Sequence, residues 1–437
     1  MPYPKMVRIK QLFEVPPPLE DIPGAVRQAL APLNLASRIK PGETVAITAG
    51  SRGVANIATI TRTVIEELKA LGARPFIVPT MGSHGGATPE GQVDVLRHYG
   101  ITEERMGVPI KSSMEVIQIG ETLGFPVYLD KHASEADHIA VVARVKPHTD
   151  FKAEIESGFY KMMAIGLGKH KGAATYHRAN AHYGYAKVIL HVGREVLKKA
   201  RIAFGVGIVE NAYDQTAKIE AVLPEEMEEK EKELLRLAKA WMMKLPFDEI
   251  DVLIVDEMGK NISGAGMDTN VIGRLTHRFD QPFGPRITRI VVLDLTPETY
   301  GNAIGIGMAD FTTKRLVEKI DRHATYVNAF TAIAPEAAKI PPYLDTDREA
   351  IETALDSIGL IHPHEAKVVR IKNTLLLGEV DISEAYLPLL KERKDLIQLG
   401  EPRELQFDPH GNLLPFEPFE AHLVGHPVPS GALTDPA

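Results

Sequence analysis

Three short stretches carry side chains suited to chemistry, and each sits at the end of an apolar run. Ala49-Gly50-Ser51-Arg52-Gly53 follows residues 44–48 (TVAIT), and Met81-Gly82-Ser83-His84-Gly85-Gly86 follows residues 76–79. Arg144-Val145-Lys146-Pro147-His148-Thr149-Asp150 closes residues 138–145 (HIAVVARV). An imidazole with an ordinary pKa of about 6.5 can hold or release a proton near neutrality, so His84 and His148 suit acid–base work from two sides of one substrate. Arg52 can grip a carboxylate through two parallel hydrogen bonds. Seven of the sixteen histidines fall within residues 132–191: His132, His138, His148, His170, His177, His182 and His191. None of them forms an HExxH pair, so a plain zinc site is not supported. The glycine-rich basic segment 166–172 (GLGKHKG) reads equally as a phosphate cradle or as a flexible loop.

The apolar runs explain why these residues should converge. Residues 44–48, 76–79, 138–145 and 202–209 read as buried strands. Between the first two, Ile57, Ile60, Val64, Leu68 and Leu71 recur at helical spacing, and Gly72 is placed to end the helix. Thr88-Pro89-Glu90 opens another helix with a cap, a proline and an acid. Strands alternating with helices predict an α/β fold with largely parallel sheets, in which ligands bind beyond the carboxyl ends of the strands. That rule places Arg52, His84 and His148 on one rim.

A long helix from about residue 224, acidic at its start, ends near Trp241 and is broken by Leu245-Pro246-Phe247. A second α/β run follows, with strands at 251–255, 289–295 and 367–371, and Thr296-Pro297-Glu298 reads as a helix cap. The expected organisation is an N-terminal α/β domain over 1–246, a C-terminal α/β domain over 247–405 and an irregular tail over 406–437, with the active site in the cleft between the domains. The chain has 437 residues, a formal net charge of −8 and no cysteine. Zero cysteine excludes disulfides, thiolate nucleophiles and protein-borne thiolate ligands. Mild acidity argues against nucleic acid as a partner. No membrane span or signal peptide is visible, so a cytoplasmic protein is expected.

The combination of His84 in a GSHGG turn, His148 in KPH, Lys161 in Ser157-Gly158-Phe159-Tyr160-Lys161 and His177 sixteen residues later resembles the nickel-dependent lactate racemase family. The resemblance is strongest over residues 44–180 and persists in 264–274 and 296–310. It implies a nickel-pincer nucleotide, a mononucleotide that brings its own sulfur donors, covalently attached at Lys161 and loaded by cofactor-biosynthesis proteins. It implies His177 as the nickel ligand, and Ser51, Ser157 and Gly158 around the cofactor. His84 and His148 would be the acid–base pair and Arg52 the carboxylate anchor, with Lys260 and Arg274 closing on the substrate from the second domain. The implied activity is racemisation of a small 2-hydroxy acid by reversible hydride transfer.

Some positions depart from the family pattern. Ala49 stands where the family has an acid, Gly85 where it has an arginine, and SGFYK replaces SGG-x-K. These departures favour malate or another short-chain α-hydroxy acid over lactate, with Arg144, Lys146 and Lys152 supplying charge for a second carboxylate. Three alternatives stay open: a sugar-acid C2 epimerase with the same cofactor, a non-catalytic nickel- or cofactor-binding protein, and a zinc or iron hydrolase using the same histidines. Composition says nothing of oligomeric state.

Overall fold

The computed structural model describes residues 3–51, 53–149, 151–277 and 283–416. The first strand, β1 (Met6–Gln11), already corrects the expected domain plan. It pairs antiparallel with strands from the far end of the chain, so Met1–Glu14 joins the chain from Met243 onward in one compact unit, and Val15–Met242 forms the other. Pairing across that sequence distance leaves no local trace in MVRIKQ. The boundary also falls before Pro246, because Leu245 and Phe247 are buried in the core of the second unit.

In the Val15–Met242 unit, β2 (Thr44–Ala49), β3 (Arg74–Pro79), β6 (His138–Arg144), β7 (Ile202–Glu210) and β8 (Thr216–Val222) build a five-stranded sheet in the order β3-β2-β6-β7-β8. All neighbours are parallel except β7 and β8. A separate antiparallel hairpin, β4 (Val116–Thr122) with β5 (Phe125–Asp130), has no counterpart in the predicted elements, nor does β8. Helices cover both faces of the main sheet, which explains its near-continuous apolar strands. Alternate residues of β6 enter two cores: Ile139, Val141 and Ala143 pack on one face, Ala140 and Val142 on the other. The helix Ile57–Ala70 buries Ile60, Val64 and Leu68 at the predicted spacing. Thr88 caps Pro89–His98 by accepting the Gly91 N–H.

The second unit holds an eight-stranded sheet, completed by β9 (Glu249–Met258), β10 (Arg286–Leu295), β11 (Phe311–Thr313), β12 (Tyr343–Leu344), β13 (Val368–Ile371), β14 (Glu379–Ser383) and β15 (Leu396–Gln398). Its order is β12-β11-β10-β9-β13-β14-β1-β15, parallel from β12 to β13 and antiparallel beyond. Thr296-Pro297-Glu298 opens only a single 3₁₀ turn, Pro297–Thr299, because Tyr300 turns the backbone left-handed at φ 49°. The predicted irregular tail begins too early: Leu405 and Phe407 pack on this unit's core, and the Arg8 guanidinium lies 4.1 Å over the Phe416 ring. Among the described residues no helix is long and apolar enough to cross a membrane.

Candidate active site

The exits of β2 and β3 bring Ser51 and His84 together. Ser51 Oγ lies 2.5 Å from His84 Nδ1, so a donating hydroxyl would fix the proton of a neutral imidazole on Nε2. His84 rides on a loop in which Gly82, Gly85, Gly86 and Ala87 all have positive φ. At Gly85 the need for glycine is steric as well: a Cβ would sit 2.6 Å from the Gly91 carbonyl carbon. The arginine that the family places there therefore cannot be grafted onto this backbone. Arg52 lies outside the described residues.

The exit of β6 carries His148, 8% exposed. Its backbone N–H donates to Glu156 Oε2 at 2.7 Å, and its ring stacks near Phe151 at 4.6 Å between centroids. Phe151 and Tyr185 are themselves parallel at 5.6 Å. Lys161 Nζ lies 2.8 Å from His148 Nε2. Burial, and then the charge of Lys161, hold His148 well below the ordinary imidazole pKa, with Lys146, Lys152 and His177 adding to the effect. The imidazole is therefore neutral and accepts from the lysine ammonium.

Lys161 ends the helical turn Phe159–Lys161, and a π-helical turn, Met162–Gly166, follows at once. Turns of this kind recur at functional sites because they re-aim side chains within a helix. Here the turn packs under both neighbouring exits: a Cβ on Gly50 would lie 3.1 Å from Met162, and one on Gly82 3.0 Å from Ile165. His177 projects from the helix Leu167–Tyr183, with Nδ1 3.3 Å from the Tyr185 hydroxyl. Thus Lys161, His148 and His177 gather around the Phe151–Tyr185 wall, and the Ser51–His84 pair is held by the loops packed on the same turn.

Other expected site residues have different places. Ser157 bridges to Lys146 through backbone hydrogen bonding, and Gly158 is backed so closely by Glu231 that a Cβ would lie 2.5 Å from its carboxylate. Lys260 and Arg274 belong to the second unit. Lys260 Nζ donates to Asn328 Oδ1 at 2.7 Å. Arg274 pairs with Asp310 at 2.6 Å and donates to the carbonyls of Met308 and Ile287, which holds that unit together. Segment 166–172 is not a loop: it is helical on either side of a break at Lys169, whose side chain is fully buried. Arg144 is paired with Glu210, and Lys152 lies 3.6 Å from Glu156.

Sequence reasoning missed Glu156, Tyr185, Gln92 and Glu231. Glu156 is fully buried and collects the amides of His148 and Ala153 together with Lys239 Nζ at 2.6 Å. Its position eight residues after His148, in a loop that also holds Lys146 and Lys152, is the available signal.

Against known proteins, residues 4–187 match the lactate racemase N-terminal domain. This N-terminal part of the chain is similar to lactate racemases. A comparison with curated proteins gives no match. Among solved structures, the lactate racemase apoprotein from Thermoanaerobacterium thermosaccharolyticum is similar in fold, at 13% identity and a TM-score of 0.50, covering 85% of this chain and 98% of that one. The N-terminal match supports an isomerase of the racemase type.

The donor set of this lactate racemase relative bears on its cofactor. Among the described residues no three His, Asp or Glu side chains are grouped to hold a metal, and cysteine is absent. A metal held here must bring most of its own donors. One imidazole at His177 and one amine at Lys161, side by side on an aromatic wall, fit a covalently tethered metal cofactor.

Proposed function

We propose that the protein interconverts the enantiomers of a short-chain 2-hydroxy acid, malate or a similar acid ahead of lactate, with a nickel-pincer nucleotide joined to Lys161. The observation that carries this reading is the 2.8 Å contact between Lys161 Nζ and a buried, neutral His148 beside His177, inside a lactate racemase N-terminal domain. The cofactor, when bound, supplies reversible acceptance of the substrate's α-hydride. Lys161 would hold it, with Ser157 and Gly158 alongside, and His177 would ligate nickel. Soft sulfur from the cofactor with one imidazole suits square-planar nickel.

The proton chemistry falls to this chain. The substrate hydroxyl must lose its proton as a planar 2-keto acid forms, and a neutral imidazole is the right acceptor. His148 is kept neutral chiefly by burial, with the charges of Lys146 and Lys152 adding to it once Lys161 is joined to the cofactor. His84 can be kept in one tautomer by Ser51. Each histidine would serve one enantiomer as base and the other as acid. Arg52 would anchor the carboxylate. Arg144 is ion-paired with Glu210 and Lys152 with Glu156, so both charges are already engaged within the protein.

Protein matured in cells that make the cofactor, with its cofactor-biosynthesis proteins, should show a mass adduct at Lys161 and bound nickel. It should racemise malate in a chiral-chromatography panel that includes lactate and gluconate. His84→Ala and His148→Ala should each lose racemisation with the adduct intact. No adduct on correctly matured protein would sink the reading.

A further inference from the structure

Lys169 has no part in the chemistry above, yet it is the most costly residue of its unit to maintain. Its side chain is fully buried, and its backbone stands at φ 52°, ψ −161° inside the helix Leu167–Tyr183. A non-glycine residue held in that region is strained, and removing an ammonium from water adds a larger penalty. Something must hold it there.

What holds it is a short polar relay. Lys169 Nζ donates to the Pro79 carbonyl at 2.8 Å and to Gln92 Oε1 at 2.7 Å, with the Asp130 carboxylate 3.6 Å away. Pro79 is the last residue of β3, immediately before the loop that carries His84. Gln92, also fully buried, turns its amide nitrogen back to that loop and donates to the carbonyls of Gly82 at 3.0 Å and His84 at 3.2 Å. One buried lysine thus reaches both the start of the loop and, through Gln92, the backbone of His84 itself. Position 169 is also where the helix breaks between the turn of Lys161 and the turn of His177. An apolar side chain would fill the same volume at lower desolvation cost, so volume alone does not account for the relay.

The geometry points to Lys169 and Gln92 as positioning residues that set the His84 loop against the Lys161–His148–His177 group. The purpose of that positioning rests on the racemase reading, whereas the relay itself does not. Its test therefore begins on the protein without cofactor. In Gln92→Met, hydrogen exchange read by mass spectrometry should quicken about tenfold or more at the amides of His84 and Ala87, which bond Met81 O and Ser83 O, with β7 unchanged. Gln92→Glu keeps an acceptor for Lys169 but offers the loop no donor, so it should loosen the loop while the unit stays folded. Lys169→Met should loosen both the loop and residues 167–172.

In matured protein, Gln92→Met should keep the Lys161 adduct and nickel while kcat falls about tenfold and KM changes little. Unchanged loop exchange in both Gln92 variants overturns the positioning role whatever the activity. So does a loosened loop with wild-type kcat. If loaded wild-type protein racemises nothing, the functional reading fails, and the exchange arm still decides the relay.

Discussion

The carboxyl of Glu231 sits fully buried behind the turn that presents Lys161, accepting the Tyr160 N–H at 2.9 Å. Burial pushes its pKa from 4.5 up to about 8, against the opposing pull of the Tyr160 and Phe159 amides. Its neighbour Glu228, one helical turn earlier, is pulled down to about 2, chiefly by its hydrogen bond from Arg194. For Glu231 the folded pKa lies above the unfolded one, so the folded state binds the extra proton between those values. Stability then falls as pH rises, by about 1.4 kcal/mol per unit, from roughly pH 4.5 to 8.

Glu231→Gln removes that titration while keeping an acceptor of the same shape for Tyr160. The variant should match wild type near pH 5 and exceed it by about 3 kcal/mol at pH 7. The gap should level off above pH 8 at an upper figure of about 5 kcal/mol. Urea unfolding followed by Trp241 fluorescence suits the measurement, because the single tryptophan lies on the same helix, Met227–Trp241, as Glu231. Other titrating groups cancel in the difference between the two proteins. A gap that stays flat from pH 5 to 9 refutes the reasoning, since Glu231 would then ionise alike in both states.

Further predictions follow from the same contacts. Lys161→Met should abolish the mass adduct after maturation, without lowering the melting temperature. Tyr185→Phe, which removes the hydroxyl near His177 Nδ1, should weaken nickel retention about tenfold in chelator competition while the adduct persists. Gly85→Ala, at φ 66° and against the Gly91 backbone, should destabilise its unit by about 2 kcal/mol or more in urea unfolding. Arg8→Ala breaks a buried pair with Asp381 and should cost the second unit about 3–5 kcal/mol, seen as faster exchange in β14 although residue 8 lies at the other end of the chain.

What the sequence discloses about this site follows from the range of the forces involved. Buried parallel strands are written as local apolar runs, so β2, β3 and β6 and the loops at their ends could be read directly, and with them His84 and His148. The elements that escaped are those whose pairing partner is remote or whose pattern is weak. β1 pairs with β14 from the far end of the chain, and the β4–β5 hairpin alternates too irregularly, with Gln118 and Glu121 exposed. The positioning residues escaped for a sharper reason. Glu231 stands in the run EEMEEKEKELL, where every acid looks like a solvated helix face, and Lys169 stands in GKHKG, where every cation looks like a loop. Burial reverses the meaning of both: one carboxyl keeps its proton at neutral pH, and one ammonium becomes a strut. A side chain that acts on substrate must sit at a strand exit, and the strand announces it. A side chain that acts through another residue can come from any element that packs behind the exit, and only the packing reveals which one.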